Sequence, residues 1–251
     1  MVEIYRRRIQ IAPVGFEVDR VVIPAIKEKA EKVYLMVHKD RSKDKATKYA
    51  AAIQRKLKAK NIETELVYCD WENIEEITRV ARDLILKESS NEVAINLASG
   101  SKNHAIGLDR ACMTFRKRKH IHPFYPEAEK WTAWKYPKQQ STGVKKIKQI
   151  PIHRIIVPEP ELTVALKAIK QDAVDIPMHK GKKGVKKKDL AKSLYGDSSK
   201  VNLTKLQRNI TQKLEKTWHA VEIIQVGQSD WISLTDEGKY LRYVLKHEET
   251  Y

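Results

Sequence analysis

The first half of the chain alternates short apolar runs with amphipathic ones. Apolar positions in residues 43–61 and 73–89 recur every three or four residues, which predicts helices. Around them lie five short runs rich in apolar and β-branched residues, each closed as strands are by turn or acidic residues: RRRIQIAPVG, KVYLMVHKD, IETELVYCD, EVAINLAS and HIHPFYP. Strands that alternate with helices in this way predict an α/β fold with a Rossmann-like, doubly wound, mostly parallel sheet.

The second half of the chain follows a different pattern. Helical segments come first, and a β-hairpin around the turn GQSD and a last helix follow. In chain order the predicted elements are VPEPELTVALKAIK, a basic connector over 176–188, KKKDLAKSLYG, LTKLQRNITQKLEKTW, the hairpin AVEIIQV with DWISLT, and DEGKYLRYVLKHE. This is the element order of a winged helix-turn-helix, so we predict two domains, over 1–150 and 151–251.

Composition narrows the class of partner. The 251 residues are 41% hydrophobic and carry 49 basic against 32 acidic side chains, a net charge of +17. This excess favours an anionic partner such as nucleic acid, a nucleotide or a membrane surface. Because the sequence has neither a run of about 18 apolar residues nor a signal-peptide pattern, we expect a soluble, cytoplasmic protein. Cys69 and Cys112 lie far apart and are expected to be core thiols, with no disulfide or zinc site.

Positive charge is concentrated in the second half. Residues 178–218 carry 12 basic and 3 acidic side chains, whereas residues 219–251 carry 3 and 6. On the helix predicted over 203–218, long polar side chains fall opposite the apolar stripe of Leu206, Ile210 and Leu214; they are Lys205, Arg208, Gln212 and Lys216. Such side chains suit base edges and phosphates, so we predict that this face binds duplex DNA together with Lys186 and Lys187. The alternative is an ordinary solvated helix face.

Another candidate site lies where the fourth predicted strand ends. EVAINLAS runs into Ser99, Gly100, Ser101 and Lys102 before a helical pattern begins. The N-terminus of a helix presents free backbone N–H groups and a partial positive charge, and the lysine adds a full charge, so this turn predicts a phosphate site. It matches neither the P-loop nor the dinucleotide fingerprint. A tight turn with a solvated lysine explains the same residues.

Two segments resemble the signatures of a known family. AINLASGSKNHAIGL is similar to the second signature of CARF domains, the CRISPR-associated Rossmann-fold sensors, and IQIAPVGFEVDRVV is similar to the first. WISLTDEGKYL resembles the strand-to-helix passage of winged-helix regulators. The resemblance implies an archaeal CRISPR-associated transcriptional regulator, a homodimer that binds cyclic oligoadenylate between paired sensor domains. By position, it implies ligand contacts from two turns: Pro13, Val14, Gly15 and Phe16, and Ser99, Gly100, Ser101 and Lys102.

The expected function is therefore a dimeric regulator that couples cyclic oligoadenylate to the binding of an inverted-repeat DNA operator. Residues for catalysis are sparse, and the weak candidates are Ser101, Lys102 and His104. They would serve a slow ring-nuclease reaction that aligns a ribose 2′-OH with the neighbouring phosphate. A ring nuclease whose winged helix only dimerises, and a basic RNA-binding protein without a small ligand, remain the alternatives.

Two further features of the sequence concern metal and nucleic-acid binding. His120 and His122 have no third ligand at metal spacing, so no metal site and no resident cofactor is predicted. The stretch 116–148 carries 10 basic and 2 acidic residues with interleaved aromatic residues, among them Trp131, Trp134 and Tyr136. It either gates the ligand site or extends the contact with nucleic acid, or its aromatic residues pack the two domains together.

Overall fold

The computed structural model describes residues 5–115, 119–132, 138–152 and 158–245. These residues form two compact units, the first before and the second after the gap at 153–157. Each unit has its own hydrophobic core. In the described residues, no helix combines the length and the hydropathy needed to cross a membrane.

The first unit is built on a six-stranded sheet. Its strands are β1 (Arg8–Pro13), β2 (Lys32–His38), β3 (Glu63–Cys69), β4 (Glu92–Asn96), β5 (Ile121–Trp131) and β6 (Ser141–Gln149). The order across the sheet is β3-β2-β1-β4-β5-β6. β1 to β5 are parallel to one another, and β6 is antiparallel to β5. The Rossmann-like, mostly parallel sheet predicted from the sequence is thereby confirmed.

Helices cover both faces of this sheet. They are α1 (Asp19–Lys27), α2 (Thr47–Lys58), α3 (Ile74–Lys87) and α4 (Lys102–Met113). α1 and α2 pack on one face through residues such as Val21 and Ile53, whereas α3 and α4 pack on the other through Ile85 and Leu108. Strand order reverses between β1 and β4, so the turns that follow these two strands meet at the switch point of the sheet.

Strand β6 overlaps the end of the basic stretch 116–148, and sequence analysis did not predict it. Its segment STGVKKIKQ has only two strongly apolar residues, of which Val144 is buried and Ile147 half-buried. Among the described strands it pairs with β5 alone, at the edge of the sheet. Because most of its side chains face solvent, hydrophobic alternation was too weak to reveal it.

The second unit combines helices with a small antiparallel sheet. Its elements are α5 (Pro160–Gln171), β7 (Val174–Asp175), β8 (Lys183–Lys186), α6 (Lys187–Tyr195), α7 (Lys200–Leu206), β9 (Val221–Val226), β10 (Ser229–Leu234) and α8 (Asp236–Val244). The strand order is β7-β8-β10-β9. After α7 the helix continues in two π-helical segments, Gln207–Thr211 and Lys213–Thr217. Leu206, Ile210 and Leu214 are buried, which confirms the predicted apolar stripe.

The predicted connector over 176–188 is wrong in part, because it contains β8 and the start of α6. Within β8, Gly184 and Val185 are buried between two exposed lysines. Gly184 packs closely against β10, where a Cβ atom would lie 2.7 Å from the carbonyl oxygen of Ile232. A strand with a single apolar side chain among lysines carries no visible alternation.

Both cysteines are buried in the core, as predicted. Burial raises the pKa of the Cys69 thiol to about 12, with Glu76 and Asp70 adding to the shift. Since the thiolate is the reactive form, Cys69 is inert at neutral pH.

Candidate functional site

The turns after β1 and β4 touch each other at the switch point. The backbone N–H of Gly15 donates a hydrogen bond to Ser99 Oγ at 3.3 Å. A Cβ atom on Gly15 would lie 2.6 Å from the backbone nitrogen of Gly100. Gly100 has a φ of +81°, and a Cβ atom there would lie 2.8 Å from Cβ of Pro13. Both glycines are therefore required by the close approach of the two backbones.

Helix α4 begins at this contact. Ser101 is its N-cap, and its hydroxyl accepts a hydrogen bond from the backbone N–H of His104 at 3.4 Å. In return, Nδ1 of His104 accepts from the backbone N–H of Ser101 at 3.2 Å and lies 3.0 Å from Ser101 Oγ. Lys102, the first helical residue, is exposed. The turn thus presents a helix N-terminus with a cation beside it, which favours an anion.

His104 is buried and fixed in the turn. Its side chain is only 1% exposed, and burial, with a smaller effect of His38, lowers its pKa to about 4. The imidazole is neutral at pH 7, and because Nδ1 accepts from Ser101, its proton is on Nε2. No partner for Nε2 is present among the described residues. In this arrangement His104 holds the serine turn in place and is poorly suited to act as a base.

A cleft of about 330 Å³ opens between the two turns. Its lining includes five of the eight residues that the sequence assigned to the ligand: Val14, Gly15, Phe16, Gly100 and Ser101. Pro13 and Ser99 are buried beneath it, and the exposed Lys102 follows Ser101 in the chain. The cleft is completed by residues that sequence analysis did not select: Ala46, Trp71, Glu72, Asn103 and Gln140.

The added residues come from four segments at the same sheet edge. Ala46 is the N-cap residue of α2, Trp71 and Glu72 lie in the loop after β3, and Asn103 is on the first turn of α4. Gln140 precedes β6, and its backbone N–H donates to the carbonyl oxygen of Phe16 at 3.0 Å. Trp71 and Glu72 were open to prediction, since they follow a recognised strand, whereas Gln140 depends on the unrecognised β6.

A buried ion pair supports the first turn from below. The guanidinium of Arg20 donates to the carboxylate of Glu17 at 3.0 Å, and the two side chains are 2% and 6% exposed. Ser141 Oγ donates to Glu17 at 2.5 Å, and Arg20 Nε donates to the carbonyl oxygen of Pro126 at 2.8 Å. The guanidinium also lies 4.9 Å from the ring of Tyr125. This network ties the loop after β1 to β5 and β6.

The DNA-binding residues predicted in the second unit are at its surface. Four of them are exposed along one helix: Lys205, Arg208, Gln212 and Lys216. The ammonium of Lys205 lies 4.8 Å from the ring of Tyr195. At the junction of β8 and α6, Lys186 lies 5.3 Å from the ring of Trp231, and Lys187 pairs with Asp230 at 3.4 Å.

The basic aromatic stretch 116–148 is described only in part. Residues 116–118 and 133–137, which include Trp134 and Tyr136, lie outside the described residues. Trp131, at the end of β5, is 63% exposed, and the Arg20 guanidinium lies 5.3 Å from its ring. His122 pairs with Glu92 at 2.6 Å, and the described residues contain no group of three metal-ligating side chains.

The fold and the cleft define a Rossmann-like α/β protein with a cleft at the switch point of its sheet. A family model described as "HFX_2341_N:-like, N-terminal" matches residues 8–131, which contain both turns. Uncharacterized protein MJ1513 of Methanocaldococcus jannaschii is 27% identical over 188 residues, or 65% of this chain and 56% of that protein. The chain thus spans a little over half the length of this relative.

Solved structures show weaker similarity. Csm6 of Enterococcus italicus, bound to cyclic hexa-2′-fluoro-hexa-dAMP, matches with a TM-score of 0.39 and 13% identity over 52% of this chain and 36% of its own. Can2 of Sulfobacillus thermosulfidooxidans, in complex with cyclic tetra-adenylate, matches with a TM-score of 0.41 and 10% identity over 92% and 77%. Protein VC1899 of Vibrio cholerae matches with a TM-score of 0.41 and 13% identity, over 94% of this chain and 65% of its own. The cyclic adenylates are bound by Csm6 and Can2 in those two structures.

Proposed function

We propose that this protein is a dimeric transcription regulator that binds cyclic oligoadenylate in the cleft of its first unit and duplex DNA through its second. The observation that carries the proposal is the contact between the two turns, which opens the cleft at the amino end of α4. A glycine backbone, a capped helix N-terminus and Lys102 are the groups that a phosphate diester requires. Both turns also carry the residues on which the resemblance to CARF domains rests.

The size of the cleft supports a dimer. At about 330 Å³ it lies at the low end of ligand pockets, which span about 300–1,000 Å³. A cleft of this size holds about one nucleotide, whereas a ring of four or six adenylates is several times larger. Two clefts that face each other across a two-fold axis would share such a ring, which is the arrangement we propose.

The proposal assigns DNA binding to the second unit. α6, the turn that begins at Gly196 and α7 with its π-helical continuation would form the helix-turn-helix, and β9 with β10 the wing. The predicted contacts are Lys205, Arg208, Gln212 and Lys216, whose exposure leaves them available to bases and phosphates. Lys186 and Lys187 would add phosphate contacts near the wing.

The ring-nuclease alternative receives less support from the site. A general base for the ribose 2′-OH has to be accessible and poised near neutral pH. His104 is buried, has a pKa of about 4 and already accepts hydrogen bonds through Nδ1. Any cleavage by this cleft would depend on positioning by Ser101 and Lys102.

Calorimetric titration with cyclic tetra- and hexaadenylate tests the ligand, with linear oligoadenylate as the control. The proposal expects tight binding of one cyclic species at one ring per two chains. Binding of neither ring would overturn the assignment of the ligand. Appearance of linear products over time would favour the ring nuclease.

Footprinting on an inverted-repeat duplex tests the second unit. A symmetric dimer is expected to protect half-sites about one helical turn, or about 34–36 Å, apart. The affinity should respond to the bound ring, since a ligand regulates only when it binds two states unequally. Equal affinity for single-stranded RNA and duplex DNA, without a response to the ring, would favour the RNA-binding alternative.

A further inference from the structure

Trp71 is the largest aromatic side chain of the cleft, and neither of the two signature turns contributes it. It follows β3 directly after Asp70, is half-buried and lines the cleft with Phe16. We propose that Trp71 is the stacking platform of a base subsite, where Asn103 and Glu72 accept hydrogen bonds from the exocyclic amine of adenine. This inference rests on the proposed function and specifies which part of the ligand the outer wall of the cleft recognises.

The indole is held in place before any ligand binds. The carbonyl oxygen of Trp71 accepts from Nδ2 of Asn103 at 3.1 Å. Its ring packs edge-on against the buried ring of His38, with centroids 4.9 Å apart and planes at 63°. Asp70 accepts from the backbone N–H of Glu72 at 3.0 Å, which fixes the loop on both sides of the indole. A preorganised aromatic surface loses little entropy when a base stacks on it.

The other aromatic side chain of the cleft has a structural partner. The ring of Phe16 packs against the core residue Tyr49, with centroids 5.5 Å apart and planes at 55°. Phe16 therefore forms a wall that continues into the core. Trp71, which is anchored by its backbone and one ring edge, is the better platform for a base.

The polar side chains near Trp71 offer hydrogen-bond acceptors, which suit an amine of the ligand. One of the two N–H groups of Asn103 Nδ2 donates to the Trp71 carbonyl, which sets the orientation of the amide, and Oδ1 of Asn103 can accept a hydrogen bond from a ligand. The carboxylate of Glu72, also on the cleft, accepts as well. Adenine offers an exocyclic amine to such acceptors, whereas hypoxanthine offers a carbonyl there. Asn103 is two residues after Ser101, so base and phosphate of one nucleotide fit the same end of α4.

The test compares the wild type with Trp71→Phe and Trp71→Ala by calorimetry with cyclic tetraadenylate. Loss of stacking in Trp71→Ala is expected to weaken binding about 5- to 150-fold, whereas Trp71→Phe keeps most of the affinity. Tryptophan fluorescence, quenched on binding in the wild type, should lose most of its response in Trp71→Phe. Tyr68→Ala, which removes a 45% exposed aromatic side chain of β3 outside the cleft, is the control and should bind as the wild type does.

The outcomes separate this inference from the proposed function. A wild type that binds neither cyclic tetra- nor hexaadenylate overturns both. A wild type that binds, with Trp71→Ala folded and binding equally well, overturns the base subsite alone. Cyclic tetrainosinate should bind more weakly than cyclic tetraadenylate, and equal affinity for the two rings would overturn the role of Asn103 and Glu72.

Discussion

Each unit of the protein contains an ion pair between an acidic and a basic residue three positions apart, and the two pairs differ in how deeply they are buried. Glu17 and Arg20 in the first unit are 6% and 2% exposed, whereas Asp236 and Lys239 in the second are 94% and 62% exposed. The distances are similar, 3.0 and 2.8 Å. In the first unit the charges are part of the structure that supports the cleft, while in the second they lie at the surface.

This contrast extends to both candidate sites. The cleft is made of backbones in contact, a buried histidine and two glycines, so its parts depend on one another. The helix face of the second unit consists of separate exposed side chains. Changes to the buried groups of the first unit should therefore alter stability and ligand binding together, whereas changes to exposed side chains on the helix face should alter binding alone.

The largest loss of stability is expected when the buried ion pair of Glu17 and Arg20 is broken. Arg20→Leu leaves the carboxylate of Glu17 buried without its cation, which should lower the free energy of unfolding by about 3–5 kcal/mol. Lys239→Ala breaks the exposed pair and should leave the free energy of unfolding nearly unchanged. Urea titration of both variants measures the difference. Equal losses would mean that burial does not distinguish the two pairs.

A smaller loss of stability is expected from the protonation of His104. Its pKa is lowered from the ordinary value of 6.5 to about 4 in the folded state. Between these values the unfolded chain binds a proton that the folded chain does not, so stability is full above pH 6.5 and falls as the pH drops toward 4. The total loss should approach about 3 kcal/mol.

The measurement is the free energy of unfolding from pH 7 to 4 for the wild type and His104→Asn. Asparagine can supply an acceptor for the Ser101 N–H but does not titrate. The pH slope of the wild type should be the steeper of the two. Parallel slopes would show that other groups cause the acid sensitivity.

A third prediction concerns the contact between the two turns. Gly15→Ala places a Cβ atom 2.6 Å from the nitrogen of Gly100, where backbone has to move. We expect a loss of about 1–3 kcal/mol in stability and a weaker affinity for cyclic oligoadenylate. Gly227→Asn is the matched control, because Gly227 has no atom near its Cβ position and asparagine tolerates its φ of +59°. Unchanged ligand binding in Gly15→Ala would contradict the proposed role of this contact.

Sequence analysis predicted the strands, helices and turns that local sequence patterns determine. The alternation of strands and helices gave β1 to β5, and the position of two turns at strand ends placed Gly15 and Gly100 at one edge of the sheet. It missed β6 and β8, whose few buried residues are surrounded by lysines. Trp71 follows a recognised strand and was open to prediction, whereas the position of Gln140 in the cleft depends on β6, which no periodicity in the chain reveals.

The smallest effects are expected from two exposed cations, and they test the division of labour between the units. Lys102→Ala removes a charge beside the capped end of α4 and should weaken ligand binding by about 1–2 kcal/mol without changing the ligand-free affinity for DNA. Arg208→Ala removes a contact from the helix face and should weaken DNA binding by about 1–3 kcal/mol, with a shallower salt dependence if the contact is to phosphate.

Both variants should unfold as the wild type does, because both side chains are exposed and belong to neither hydrophobic core. Calorimetry with the ring and fluorescence anisotropy with duplex DNA, run on each variant over a range of salt, give the four affinities. If each variant is impaired in one assay only, ligand and DNA are bound by separate surfaces. If both variants are equally impaired in both assays, a single basic surface binds both polyanions, and the assignment of sensing to one unit and DNA binding to the other is wrong.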